Sequence, residues 1–245
     1  MNVTGPAVAG ASTATAAPSP AQALAVPRYL DETYWWAYVH PKAVQVFERD
    51  WLVDTILFGN YGRLRDAALD ELGQRVHGRT LQLACVYGDL TVRLRRRLVP
   101  EATLEVLDIL PVQLDNLRRK LPADERVTLT QGDSSALAYA DASYDQALLF
   151  FLLHEQPLPV RRATLAEALR VVKPGGRVVV VDYHRPVPLH PVRPLMRQIF
   201  RRLEPFAMDL WDHEVADFMP PGAAQLVSKR TYFGGLYQKL VFTRS

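Results

Sequence analysis

The 245-residue chain is 49% hydrophobic and 22% charged, a balance that is ordinary for a globular domain with one sizeable α/β core. No apolar run reaches the roughly 18–20 residues that a transmembrane helix needs, so we expect no such helix. Cys85 is the only cysteine, which excludes an intrachain disulfide and favours a reducing compartment. The net charge is only +3, although arginines cluster locally.

Residues 1–27 carry no charged side chain and consist mostly of small residues. Such a stretch cannot bury enough apolar surface to build a core, so we predict a disordered tail. It lacks the arginines of a mitochondrial presequence and the basic residues that precede the apolar run of a secretory signal. We therefore expect neither kind of targeting segment here.

Residues 28–78 begin with an aromatic segment at 29–40, which holds three tyrosines and two tryptophans in twelve residues. Helical patterns follow after Pro41 and after Asn60, so we predict an N-terminal helical cap. Two interpretations remain open. The segment is either a structural cap on the sheet, or a lid of aromatic rings for an aromatic or quinone-like substrate at a membrane surface.

A strand, a tight turn and a helix follow from residue 79. Leu81 and Leu83 predict a buried strand, Gly88 the turn, and the residues from about Asp89 to Leu98 the helix. In an open α/β sheet, the first turn of this kind faces an adenosine-containing cofactor. We expect Cys85 to be a small buried residue at the strand end rather than a nucleophile.

Asp108 ends a second predicted strand, twenty residues after Gly88. This is the spacing of a βαβ unit, and a carboxylate at its end can accept both hydroxyls of a ribose. The remaining elements continue the alternation: a helix after Pro111, a third strand at 127–130, a fourth at 145–153, a helix at about 159–172 and a fifth strand at 177–182. Near-continuous Val and Leu runs favour parallel strands buried on both faces, so we predict a Rossmann-like, doubly wound, mostly parallel α/β sheet.

An insertion at about 186–214 follows the fifth strand. Leu195, Ile199 and Leu203 form one helical stripe, and arginines occupy the other side at 193, 197, 201 and 202. The segment is either an interfacial amphipathic helix that rests on anionic lipid or a lid helix packed on the core. We expect no nucleic-acid partner, because no known nucleic-acid module is present.

Residues 79–185 resemble the class I S-adenosylmethionine methyltransferases in four landmarks. These are Gly88, Asp108, the sequence Gly-Asp-Ser at 132–134 and the sequence Lys-Pro-Gly-Gly at 173–176. The resemblance implies that Asp108 holds the ribose and that Asp133 and Ser134 meet the adenine edge. The implied cofactor-binding residues are Cys85, Val86, Tyr87, Gly88, Asp108, Ile109, Asp133 and Ser134.

Segments toward the two ends of the chain resemble more specific subgroups of this family. Residues 229–238 are similar to the C-terminal strands of the ubiquinone/menaquinone C-methylases. Residues 34–41, 47–51 and 84–88 resemble one subgroup more closely, the rhodoquinone biosynthesis (RquA) proteins. That resemblance implies replacement of a ubiquinone methoxy group by an amino group, with S-adenosylmethionine as nitrogen donor and manganese(II) required. We expect a cytoplasmic protein, peripheral at the inner face of the bacterial membrane, with lipid contact if the insertion at 186–214 is an interfacial helix.

The loop departs from the methyltransferase pattern, which has an acid at 82 and glycines at 84 and 86. Gln82, Ala84 and Val86 stand there instead. We expect the added Cβ atoms to shift the methionine end of the cofactor, so that its α-amine rather than its methyl approaches the quinone ring. Neutral drift in a tolerant loop is the alternative.

The carboxyl ends of the fourth and fifth strands supply candidate metal ligands, because these ends are neighbours beside the cofactor crevice. Carboxylates with imidazoles suit manganese, although imidazole also suits zinc and iron. The predicted ligands are His154, Glu155, Asp182 and His184, with a weaker alternative in His213, Asp212 and Glu214. The candidate acid–base residues are His154, Tyr87 and Tyr183.

The function that the resemblance implies is that of a transferase that converts ubiquinone to rhodoquinone. Two alternatives stay open. The first is an S-adenosylmethionine-dependent methyltransferase that acts on a quinone or phenol. The second is a non-catalytic cofactor-binding subunit of a quinone-biosynthetic complex.

Overall fold

The structure, a computed structural model, describes residue 1, residues 24–34 and residues 47–245 of the chain. Most of the predicted tail and the aromatic segment from residue 35 onward lie outside the described residues. Helix α1 (Arg28–Tyr34) precedes that gap, and α2 (Asp50–Ile56) and α3 (Tyr61–Leu72) follow it. These helices occupy the region of the predicted helical cap.

Within the described residues, seven strands form one sheet in the order β3-β2-β1-β4-β5-β7-β6. The first five are parallel to one another, and β7 runs antiparallel to both β5 and β6. The predicted doubly wound, mostly parallel sheet is therefore confirmed. The strands are β1 (Arg79–Leu83), β2 (Thr103–Asp108), β3 (Val127–Gln131), β4 (Tyr144–Phe150), β5 (Val172–Tyr183), β6 (Ala224–Tyr232) and β7 (Tyr237–Arg244).

Helices connect the strands and cover the sheet. They are α4 (Leu90–Arg97), α5 (Pro111–Lys120), α6 (Leu158–Val171), α7 (Arg193–Leu203) and the single turn α8 (Asp209–Asp212). The central strands carry the core: Leu81 and Leu83 of β1, Leu148 of β4 and Val180 of β5 are all fully buried. Each such side chain contributes about 1.5–3 kcal/mol of hydrophobic stabilisation, which is why the apolar runs become central strands.

The structure corrects the predicted ends of two strands. Strand β4 ends at Phe150 rather than at Leu153, because Phe151 adopts a positive φ of 54° and a 3₁₀ turn follows at Leu153–Glu155. Strand β5 begins at Val172 rather than at 177, and its register with β4 shifts between Tyr144 and Gln146. A Cβ at Gly176 would lie 2.6 Å from the Asp145 carbonyl oxygen, so only glycine fits this close approach.

The segment after β5 packs on the core through Met196 and Phe200 of α7, which are both buried. A fully buried arginine, Arg161 of α6, fixes the end of this segment. Its guanidinium donates hydrogen bonds to the carbonyl oxygens of Leu153, Gln156 and Phe206 and to the Asp209 carboxylate. One side chain thus joins the turn after β4 to the residues after α7.

Among the described helices, none combines the length and the apolar character needed to cross a bilayer. The division of the chain into tail, cap and main domain stays a prediction.

Candidate functional site

Two adjoining pockets lie at the carboxyl ends of the parallel strands. The first, here called the β2 pocket, encloses about 620 Å³ of space that is partly continuous with solvent. It is lined by residues that follow β1, β2 and β3, by the turn after β4, and by Tyr29 and Leu30 of α1. Five of the predicted cofactor residues line it: Cys85, Asp108, Ile109, Asp133 and Ser134.

Asp108 is the acidic centre of the β2 pocket, at the last position of β2. Its Oδ2 accepts the backbone N–H of Cys85 at 2.7 Å, and its Oδ1 accepts that of Leu110 at 2.8 Å. Burial raises the pKa of Asp108 to about 6 against these hydrogen bonds.

The loop at 84–88 has an unusual backbone. Ala84 adopts a positive φ of 72°, a conformation that costs an L-residue roughly 1–2 kcal/mol, and Gly88 adopts 82°. A Cβ at Gly88 would lie 2.5 Å from the Tyr61 hydroxyl, so both the backbone angle and the space demand glycine there. The Ala84 N–H donates to the Leu107 carbonyl oxygen at 2.8 Å and holds the start of the loop against β2.

Glu48 and Lys120 clamp the end of this loop. The Glu48 carboxylate accepts the Gly88 N–H at 3.1 Å and pairs with the Lys120 ammonium at 2.7 Å. Lys120 also donates to the Gly88 carbonyl oxygen at 2.9 Å, and Asn116 donates to the second Glu48 oxygen. Sequence reasoning missed this clamp, because no local pattern joins residues about 70 positions apart.

Hydrogen bonds order the far end of the β2 pocket. Asp133 Oδ1 accepts from both the N–H and the hydroxyl of Ser135. The Ser134 hydroxyl lies 3.0 Å from the Thr164 hydroxyl and accepts from the Gln156 amide at 3.1 Å. The loop after β3 is therefore preorganised, as its position in a doubly wound sheet suggests.

The second pocket, here called the aromatic pocket, encloses about 1110 Å³, also partly open to solvent. Its walls come from the N-terminal helices, the 84–88 loop, the ends of β4 and β5, and the end of α7. Most of its lining is aliphatic or aromatic, and its acidic or imidazole side chains are His154, Glu155 and Glu204. Val86 and Tyr87 line this pocket rather than the first one, and Gly88 lines neither. Cys85, Phe151 and Glu155 line both pockets and form their common wall.

His154 and Asp182 form a buried pair in the aromatic pocket. Nδ1 of the imidazole lies 2.9 Å from Asp182 Oδ1, and Nε2 lies 3.7 Å from Glu155 Oε1. Asp182 is fully buried and also accepts the backbone N–H groups of Leu153 and Tyr183, both at 2.8 Å. Burial disfavours the imidazolium, but Asp182, Glu204 and Glu155 outweigh it and raise the pKa of His154 to about 9.

Three of the four predicted metal ligands, His154, Glu155 and Asp182, lie together, but the fourth does not join them. His184 lies beyond the end of β5, where its Nδ1 is 2.8 Å from the Gly235 carbonyl oxygen and its Nε2 is 3.2 Å from the Lys229 ammonium. Asp182 already binds His154 and two backbone N–H groups. The carboxylates of the alternative predicted ligands form ion pairs instead, Asp212 with Arg185 and Glu214 with Lys229. No group of three or more His, Cys, Asp or Glu residues is arranged for a metal within the described part of the chain, so these residues do not fit a manganese ion.

The other candidate acid–base groups, the hydroxyls of Tyr87 and Tyr183, are poor proton donors because burial disfavours their ionised form. Tyr87 stacks on Phe47 with ring centroids 5.9 Å apart, and its hydroxyl accepts from the Gln113 amide at 2.9 Å. Burial raises the pKa of the Tyr183 hydroxyl and of the Cys85 thiol well above their ordinary values. The Tyr183 ring packs edge-on against His154 at 4.9 Å, which orients the imidazole. The catalytic roles of both tyrosines stay predictions.

Comparison with known proteins gives a consistent result. Residues 80–176 match the methyltransferase domain family. The chain is 34% identical over 137 residues to the ubiquinone/menaquinone biosynthesis C-methyltransferase UbiE of Dinoroseobacter shibae, with 54% of this chain and 53% of that protein aligned. It is 27% identical over 162 residues to a demethylmenaquinone methyltransferase of Staphylococcus aureus strain JH9, with 66% and 64% aligned. The chain thus matches less than two thirds of the length of these relatives.

Solved structures agree on the fold. The geranyl diphosphate C-methyltransferase of Streptomyces coelicolor A3(2) superposes with a TM-score of 0.61 at 13% identity, covering 90% of this chain and all of the other. The N-methyltransferase NodS of Bradyrhizobium japonicum, solved with S-adenosylhomocysteine, gives a TM-score of 0.56 at 13% identity and covers 83% and 97%. At such identities, the likeness supports the fold alone.

Proposed function

We propose that the chain transfers a methyl group from S-adenosylmethionine to a quinone-type ring carrying a free hydroxyl, and the match of residues 80–176 to the methyltransferase domain family supports this proposal. One observation carries the proposal. An aromatic pocket that holds a buried His–Asp pair shares a wall with a pocket whose acidic residue ends β2. The printed names of the curated relatives support a quinone substrate.

The β2 pocket fits the co-substrate. Asp108, which lines this pocket at the end of β2, would accept the ribose hydroxyls. Asp133 uses only Oδ1 for Ser135, so Oδ2 serves as the acceptor for the adenine amine. The bound sulfonium supplies an electrophilic methyl group, and the common wall at Cys85 and Phe151 is where it would meet the ring.

His154 would act as the general base. With Nδ1 held by Asp182, the neutral imidazole presents Nε2 to the pocket, where it takes the proton of a ring hydroxyl. The resulting phenolate is electron-rich enough for a ring carbon to attack the methyl group, which breaks the bond from sulfur to that methyl and releases S-adenosylhomocysteine. Loss of the proton from the methylated carbon then restores the aromatic ring, and His154 returns its proton to the phenolate oxygen. The apolar walls exclude water, which strengthens each charge interaction in the pocket.

Amino transfer to ubiquinone is the second candidate function, and the backbone of Ala84 favours it. A side chain in a left-handed conformation stands where the methyltransferase pattern has a glycine, so the methionine end would bind differently. We derive no step through manganese, because the described residues do not fit that ion.

The long tail of a membrane quinone suggests how substrate arrives. Trp51, Ile56, Leu195 and Leu203 are exposed apolar side chains, and two of them, Ile56 and Leu203, line the aromatic pocket. Exposed arginines at 197, 201 and 202 share α7 with Leu195 and Leu203. This face would rest on anionic lipid while the ring enters.

One incubation separates these functions. Purified protein is mixed with S-adenosylmethionine and ubiquinone or a demethylated hydroquinone, with and without manganese, and the products are analysed by mass spectrometry. A methylated ring with S-adenosylhomocysteine is the expected result. A lighter, nitrogen-containing quinone would establish amino transfer instead. No product under any condition would leave the chain as a cofactor-binding subunit and refute both activities.

A further inference from the structure

Glu204 is a half-buried residue that the proposed mechanism does not use. It follows the last turn of α7 and lines the aromatic pocket. Its Oε2 is buried and has no hydrogen-bond partner among the described residues. The C-terminal end of a helix carries partial negative charge, so the position repels a carboxylate as well as desolvating it. Burial accordingly raises the pKa of Glu204.

The surroundings of Glu204 restrict what it can bind. His154 is turned by its Nδ1 toward Asp182, and the rings of Phe151 and Tyr183 pack on it. The other side chains that reach the pocket from α7 are Ile199 and Leu203, which are apolar. Glu204 is therefore the polar contact that the α7 wall offers to a flat ring in this pocket.

The charge of the His154 imidazolium opposes burial and favours the ionised form of Glu204. An ionised carboxylate only accepts hydrogen bonds, and this property selects among aromatic rings. A ring hydroxyl donates to it, whereas a carbonyl or ether oxygen places two acceptors against each other in a dry site. Sites built to bind a hydroxyl reject analogues that lack one, because the protein group is then left buried and unpaired.

We propose that Glu204 is the specificity-determining residue of the aromatic pocket, and that it accepts a hydrogen bond from a ring hydroxyl. The pocket therefore takes hydroquinones and phenols in preference to rings without an O–H group. This inference rests on the proposed function, since it deepens the assignment of the same pocket. It assigns His154 and Glu204 to different oxygens of one ring, the first for proton removal and the second for recognition.

Equilibrium binding tests the inference without any turnover. The probes are a decyl-substituted 1,4-hydroquinone, kept anaerobic, and its dimethyl ether, and calorimetry gives a Kd for each. Wild-type protein is expected to bind the hydroquinone more tightly than the ether. Glu204→Leu should reduce that preference about tenfold, the effect of losing one hydrogen bond to a charged group. Glu204→Gln keeps an acceptor oxygen and should retain part of the preference.

The controls separate recognition from folding. Removing a buried unpaired carboxylate should leave the Tm of Glu204→Leu unchanged or higher, and Glu101→Leu, at an exposed loop, should keep the wild-type preference. If Glu204→Leu discriminates between the probes as well as wild type, or if wild type binds both equally, the inference is overturned while methyl transfer stands. If wild type binds neither probe, the quinone substrate itself is refuted.

Discussion

The β2 pocket and the aromatic pocket share a wall but are built in opposite ways. The β2 pocket draws on loops that directly follow strands, and backbone N–H groups satisfy its carboxylates, as Cys85 and Leu110 do for Asp108. The aromatic pocket draws on helices distant in sequence and holds few polar groups. The lining of the first pocket suits recognition by hydrogen bonds, and that of the second suits recognition by apolar contact. Substitutions in the two pockets should therefore separate co-substrate binding from ring chemistry.

The largest expected effect is in the aromatic pocket. His154→Ala removes the proposed base and should lower kcat by about 10²–10⁴-fold, the usual contribution of general base catalysis. The Kd for S-adenosylmethionine, measured by calorimetry, should stay close to the wild-type value because Asp108 and its loop are untouched. The matched control is His184→Ala, since that imidazole contacts Gly235 outside both pockets. An equal loss of kcat in both variants would contradict the assignment.

The pH profile should distinguish the two proposed reactions. His154 has a pKa of about 9 and faces Asp182, Glu155, Glu204 and the ring of Tyr183. Below that pKa the imidazole is mostly protonated, so a reaction that needs the neutral base should accelerate about fiftyfold between pH 7 and pH 9 and then level off. Amino transfer, which would use the imidazolium to polarise a quinone oxygen, should slow above pH 9. A profile that is flat from pH 7 to pH 10 would exclude both roles for His154.

A smaller effect is expected in the β2 pocket. Asp108→Asn should weaken S-adenosylmethionine binding about 10–100-fold, since hydrogen bonds to a charged group are each worth about 1.5–3 kcal/mol. Binding of the alkyl hydroquinone should be unaffected by this substitution. Substitutions in the lining of the aromatic pocket should have the opposite outcome, with weaker ring binding and unchanged affinity for S-adenosylmethionine. Asp115→Asn, at an exposed position of α5, serves as the control. Unchanged cofactor affinity in Asp108→Asn would remove the ribose assignment.

The smallest effect concerns stability rather than activity. Gly88→Ala combines a positive φ with a contact against the Tyr61 hydroxyl and should destabilise the fold by about 2–3 kcal/mol in urea unfolding. Gly222→Ala has a similar φ of 73° but nothing within 4 Å of its Cβ, so it should lose only about 1 kcal/mol. Equal losses in the two variants would show that Tyr61 yields without cost.

The sheet and the acidic strand end could be predicted because they follow from local sequence. Apolar runs gave the parallel strands, and the spacing from Gly88 placed Asp108 at the end of β2. The sequence pattern does not determine where each strand ends. The periodicity of β4 continues past Phe150, and only the positive φ of Phe151, which no pattern marks, turns His154 back to Asp182.

The polar contacts that complete the site could not be predicted. Glu48 reaches the 84–88 loop from an N-terminal segment, and Glu204 reaches the aromatic pocket from α7. Both contacts depend on tertiary packing rather than on spacing along the chain. The expected metal group depended on His184 lying near His154, but its imidazole instead contacts the hairpin between β6 and β7. Alternation along a strand assigns a side chain to a face, and it does not determine the partner that this side chain finds there.

The hydrogen bonds of the buried Arg161 determine which wall of the aromatic pocket can move to admit a ligand. Its four hydrogen bonds join the turn after β4 to the backbone beyond α7, so these two segments form one rigid frame. The segments can move apart only if these hydrogen bonds are lost. The frame carries His154 on one side and the end of α7 on the other. A ring that enters the pocket would therefore displace the opposite wall, which Val53 and Ile56 of α2 line, and would leave His154 and Asp182 in place.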